Sequence, residues 1–146
     1  MSAAAARPTL ATVIEGTALP ELVKRPTIVQ SMMVQAATEN YHRIHWDREF
    51  ARADGLPDVI LSTSFLANCL VQLVVEWTGD PTALRRLSYR FHRPVLPGQT
   101  LHLRGRVVSC APGADGGEVV CELRLDVDDT AEPAVTGRAT VALPRA

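Results

Sequence analysis

The chain has 146 residues, with 15 basic side chains against 16 acidic ones and a pI near neutrality. That length suits one domain with a single core burying roughly two-thirds of the unfolded surface, and it is short for two. No block of like charge is longer than Arg85-Arg86, which argues against the electrostatic footprint of a nucleic-acid binder.

The first residues, "MSAAAARP", lack a basic segment followed by a long apolar one, so they do not read as a signal peptide; residues 1–8 are expected to form a disordered tail. "TLATVIEGTALPEL" and "RPTIVQ" are expected as short strands joined by a proline turn, and "SMMVQAAT" as a short helix leading into the polar stretch "TENYHRIHWD".

Thr63–Trp77 is the one long helical candidate, apolar on nearly every side, and this marks a helix wrapped by the rest of the protein. Ser62 is its expected N-cap, and Gly79-Asp80-Pro81 ends it. Its most apolar run, Phe65 to Val75, is too short to cross a bilayer and is interrupted by Asn68 and Gln72. The expectation is a soluble, cytoplasmic protein without a membrane partner.

From Arg85 onward the apolar period changes to two. Leu87, Tyr89 and Phe91 alternate with polar residues, then Leu101, Leu103, Gly105 and Val107, then Val119, Cys121, Leu123, Leu125 and Val127. Val135 to Leu143 forms the fourth run. Four consecutive strands with Gly/Pro turns predict an antiparallel meander with one covered face, hence an α+β fold in which a curved sheet wraps one buried helix. Cys69, Cys110 and Cys121 lack a metal-binding spacing and are expected to be small apolar packing residues.

Two places can carry chemistry. In "ENYHRIHWD", Glu39, Asn40, His42, Arg43, His45 and Asp47 lie within nine residues. Ile44 and Trp46 flank His45 and would hold it against the core, and an imidazole exchanges protons near neutral pH, as general acid–base work requires. Asn40 cannot be a base, but its amide can orient the same water. The second place is the helix start, "ILSTSF", whose first N–H groups lack intrahelical partners and can stabilise an oxygen gaining charge, unless they serve ordinary capping. No serine elbow, metal-ligand spacing, glycine-rich dinucleotide fingerprint or P-loop is present, so neither a metal nor a nucleotide cofactor is expected.

The order of these parts resembles the MaoC-like (R)-specific enoyl-thioester hydratases and dehydratases, which have the hot-dog fold. The resemblance covers nearly the whole chain as one domain, residues 1–146. Its strongest element is the hydratase motif, commonly Asp-x-Asn-Pro-Ile-His, which reads "NYHRIH" from Asn40 to His45. The continuation Asp47, Ala51, Gly55 and Pro57 and the "RPVLPGQTL" segment extend it. The resemblance implies that His45 is the catalytic histidine and that Asn40 stands where the aspartate usually does; a branch reading Asn-x-His-Arg-Ile-His is closer. It further implies that Ser62-Thr63 replaces the common His-Gly pair, with the Thr63 N–H as oxyanion donor. Ser62, Ser64 and Asn68 then lie beside the substrate, and His42 and Arg43 support the loop. The implied substrate is an acyl thioester of coenzyme A or a carrier protein, and the implied assembly is a homodimer or a heterodimer with a homologous chain. Two other readings stay open: a non-catalytic binding subunit, and a hot-dog thioesterase, whose helix carboxylate could only be Glu76 near the far end.

Overall fold

The computed structural model describes residues 6–128 and 130–146. The expected tail lies outside the described residues at positions 1–5; Pro8 is already buried, and the Arg7 side chain lies over Gly79. In chain order the elements are β1 (Leu22–Lys24), α1 (Ile28–Ala37), a 3-10 turn (Arg43–His45), α2 (Arg48–Ala53), α3 (Thr63–Thr78), β2 (Leu84–Phe91), β3 (Leu101–Gly113), β4 (Gly116–Val127) and β5 (Val135–Pro144).

The strands form one antiparallel sheet in the order β1-β3-β4-β5-β2, curled around α3. This is the hot-dog arrangement. Phe65, Leu66, Cys69, Leu70, Leu73 and Val74 of α3 meet the inward side chains of the sheet, among them Leu103, Leu123, Val135 and Val141, in one apolar cluster. Each such side chain, fully withdrawn from water, contributes about 1.5–3 kcal/mol before conformational entropy is charged against it. The period-two reading holds best in β4, where Val119, Cys121, Leu123, Leu125 and Val127 are buried. On its outer face Asp126 is also buried, clamped by Arg104 at 3.1 Å and Arg124 at 2.6 Å. Burial pushes the thiols of Cys69 and Cys121 up, to about 11 and about 12, in keeping with packing roles.

Three expectations are corrected. The four long strands are not a simple meander: β3, β4 and β5 follow one another, but β2 pairs with β5 and not with β3. The cause is the connection 92–100, which holds Pro94 and Pro97, buries Val95 completely and passes beneath the start of α3, where Leu61 N–H donates to Val95 C=O at 2.7 Å. It delivers β3 to the far side of the sheet. "RPTIVQ" is not a strand, because Thr27 and Gln30 cap each other's backbone and start α1 at Ile28; of the preceding segment only Leu22–Lys24 and a bridge from Ala18 to Arg106 join the sheet. Helix α3 is not enclosed all round, since Thr63, Asn68 and Glu76 are exposed.

Candidate active site

Helix α1 ends at Ala37, and two residues on Glu39, a non-glycine residue in the left-handed region (φ 53°), swings the chain into the polar stretch. Asn40 N–H is taken by Gln35 C=O at 3.0 Å, and Asn40 Oδ1 accepts from His42 N–H at 3.4 Å. His42 Nδ1 in turn accepts from Ile44 N–H at 3.3 Å and caps the 3-10 turn, its ring edge-on to those of His45 and Phe50. Arg43 stacks over the Phe50 ring at 4.4 Å and reaches Asp47 at 2.6 Å. Asp47 also caps α2 by accepting from Phe50 N–H, and that bond, followed by the Arg43 guanidinium, holds its carboxyl below the usual carboxylate range. Ala51 packs at zero exposure and Gly55 closes α2 with positive φ. Each residue of the sequence motif thus has a local mechanical task, and together they fix one small turn.

That turn presents His45, 6 % exposed, to the interior. Its Nδ1 lies 2.8 Å from Ile60 C=O. A carbonyl can only accept, so Nδ1 carries the proton and the Nε2 lone pair is left free to take one. A second bond, Ile60 N–H to Ile44 C=O at 3.1 Å, ties the same two segments together. Ile60 lies three positions before Thr63, at most roughly 10 Å of extended chain.

At the helix start Ser62 Oγ accepts from Phe65 N–H at 3.2 Å and meets Ser64 Oγ at 3.0 Å, while Asn68 donates to Ser64 C=O at 2.9 Å. The Thr63 and Ser64 N–H groups, one and two positions into the helix, have no acceptor among the described residues. They carry the positive end of the α3 dipole. The structure therefore brings His45 and the α3 N-terminus to adjoining points of one short segment, turns the Asn40 carbonyl oxygen toward His42, and leaves Asn68 exposed on the helix flank. Glu76, in the last turn of α3, accepts from Gln72 at 2.6 Å, and Gln72 in turn pairs with Lys24. Among the described residues no cluster of His, Cys, Asp and Glu could hold a metal ion, and no helix is long and apolar enough to cross a membrane.

Sequence reasoning did not single out Ile60, because an orienting backbone carbonyl has no side-chain signature. It also passed over the buried polar pair of α1, Ser31 and Gln35.

The family described as "MaoC like domain" matches residues 14–128. Enoyl-CoA hydratase 2, peroxisomal, of Arabidopsis thaliana is 38% identical over 66 residues, 42% of this chain and 21% of that protein. Hydroxyacyl-thioester dehydratase type 2, mitochondrial, of Saccharomyces cerevisiae is 34% identical over 65 residues, 44% of this chain and 22% of that protein. The matches thus span about a fifth of the length of these curated relatives. Among solved structures, the (R)-hydratase from A. caviae involved in PHA biosynthesis superposes with a TM-score of 0.80 at 22% identity, covering 91% of this chain and 98% of that one. The ChsH1-ChsH2 complex from Mycobacterium tuberculosis gives 0.78 at 20% identity, covering 89% and 98%. With the family matched over most of its length and the hot-dog sheet closed around α3, the chain belongs to the MaoC-like domain family.

Proposed function

We propose that the chain is a hydratase or dehydratase of an acyl thioester, adding water to a trans-2-enoyl thioester or removing it from a 3-hydroxyacyl thioester. The observation that carries this reading is the tautomer of His45: Ile60 C=O holds the Nδ1 proton and leaves Nε2 as a base, in a segment that runs directly into the free N–H groups of α3. In hydration, Nε2 takes a proton from water as its oxygen bonds to the β-carbon. The electron pair of the double bond moves toward the thioester carbonyl, whose oxygen the Thr63 N–H stabilises, and the α-carbon then receives the proton from His45. Asn40 has no titratable group, so one imidazole serves as base and then as acid. The relatives' names, an enoyl-CoA hydratase and a hydroxyacyl-thioester dehydratase, support the reaction class.

In this reading the acyl group arrives on coenzyme A or a carrier protein, no further cofactor takes part, and the work is done in the cytoplasm. The assembly is a homodimer or a heterodimer with a homologous chain, which the neighbour solved as a two-component complex supports. Ser62, Ser64 and Asn68 border the acyl group, while His42 and Arg43 hold the loop.

His45→Ala should lower kcat/KM for enoyl-thioester hydration at least about a hundredfold, the scale of a lost acid–base group. An unchanged rate removes His45 from the mechanism. A second reading has its own support: with Asn40 Oδ1 turned to His42 N–H, the chain is a thioester-binding subunit whose chemistry lies on a partner. Turnover by the isolated chain at about 1–1000 per second, the ordinary range for enzymes, rejects it.

A further inference from the structure

The outward face of the sheet carries a hollow of about 920 Å³, within the range of small-molecule sites, about 300–1,000 Å³. Helix α3 packs on the inward face, so the sheet itself stands between this hollow and the helix. Two rows of outward side chains cross it, set by the strand register. In one, Arg104 stands opposite Arg124, Arg124 opposite Thr136, and Thr136 opposite Arg90. In the other, Arg106 stands opposite Glu122, and Glu122 opposite Arg138. These five arginines line the hollow with two carboxylates, Glu21 and Glu122, and Asp126 lies behind them as a third.

The arginines differ in how they are held. Arg104 and Arg124 are like charges directly opposite each other, which costs stability on a sheet. The Asp126 carboxylate, only 3 % exposed, fixes them there at 3.1 and 2.6 Å, and Glu21 takes Arg104 from the other side at 2.8 Å. Arg124 spends Nε on Asp126 and Nη2 on Ala131 C=O, which leaves its Nη1 donors unspent. This pair is in place before any ligand arrives. Arg138 meets Glu122 at 3.3 Å, but both side chains are more than half exposed, so the contact is weak and readily exchanged. Arg90 and Arg106 have no ion-pair partner among the described residues. They stand on β2 and β3, three strand spacings or roughly 14 Å apart. A second copy of this face would bring the same excess of positive charge, so back-to-back packing of two copies is disfavoured. Guanidinium forks match phosphate oxygens, and while one anion can serve the fixed pair, only linked anions also reach the free forks at the sides. We propose that the hollow is a second ligand site, which binds a small molecule carrying two or more linked phosphates. The Arg104–Arg124 pair receives one phosphate, and Arg90 and Arg106 draw the next from either side.

The test is calorimetric titration of the full chain with pyrophosphate, tripolyphosphate and ADP at constant ionic strength, with inorganic phosphate as the single-anion reference. Tripolyphosphate or ADP should bind with a Kd below about 1 mM, and inorganic phosphate at least about tenfold more weakly. The double variant Arg90→Gln/Arg106→Gln changes two exposed side chains and should keep the wild-type Tm. It should lose at least about tenfold in affinity for the tighter probe, the scale of a lost charge-assisted hydrogen bond. Arg85→Gln/Arg86→Gln removes the same charge from exposed positions of β2 outside the hollow, and its affinity should stay within about twofold of wild type. Tighter binding of ADP than of pyrophosphate identifies a nucleotide as the ligand, and equal binding identifies an inorganic oligophosphate; either supports the site. Three outcomes overturn the proposal: no probe binds below about 1 mM, inorganic phosphate binds as tightly as tripolyphosphate, or both double variants lose affinity equally, as general charge attraction requires.

Discussion

At the scale of single residues, the site is held by backbone groups as much as by side chains. His45 is oriented by a carbonyl, Asn40 by another, and the proposed oxyanion donor is an N–H. Substitutions at Asn40 or Ile60 therefore act mainly through loop geometry, whereas Ser62 offers a cleaner probe. Its hydroxyl is buried and satisfies Phe65 N–H, so Ser62→Ala should cost about 1 kcal/mol, a fall of roughly 2–4 °C in Tm for a domain of this size, read by thermal denaturation. The histidine, its neighbours and this cap were legible in the sequence because each has a side-chain signature at a fixed spacing. The redirection of Asn40 toward His42 was not, because a hydrogen bond two residues away competes with one across the turn, and only the folded backbone decides between them.

At the scale of elements, helix α3 and the inward faces of β3, β4 and β5 followed directly from their apolar periods. The body of α1 was expected at "SMMVQAAT", but its first turn escaped: "TIV" reads as strand, yet the mutual capping of Thr27 and Gln30 starts the helix there. Strand pairing escaped for another reason. Alternation tells which face a residue takes, not which neighbour its strand finds, and only the path of residues 92–100 sets β2 beside β5. The β3–β4 hairpin shows how narrow such junctions are. Gly116 has φ 150°, and a Cβ built there would lie 2.2 Å from Leu143 C=O on β5. Gly116→Ala should therefore displace β5 locally and destabilise by roughly 1–3 kcal/mol, measured by urea denaturation. A variant as stable as wild type would show that β5 can shift without loss.

At the scale of the whole molecule, acid should unfold the protein through its loops. Backbone N–H donors, followed by arginines, hold Asp47 and Asp58 below the usual carboxylate range; Thr82 does so for Asp80 and His102 for Glu21. A depressed folded value means stability that is present above the unfolded value near 4 and lost as pH falls through the folded one. Thermal melts should therefore stay level from neutrality down to about pH 5 and drop below about pH 4. In Asp47→Asn the drop should be shallower, and an equally steep fall would move the acid sensitivity elsewhere. The place of β2 in the sheet has a consequence in time. Its only sheet partner, β5, is made after β3 and β4, so during synthesis β2 leaves the ribosome unpaired, with Leu87 and Phe91 without their neighbours on β5. The sheet closes only when β5 has emerged, a long-range step that slows folding and lengthens exposure to aggregation. A chain ending at residue 134 should fail to reach the native state by circular dichroism and collect in the insoluble fraction, whereas β5 supplied as a separate peptide should restore part of the fold.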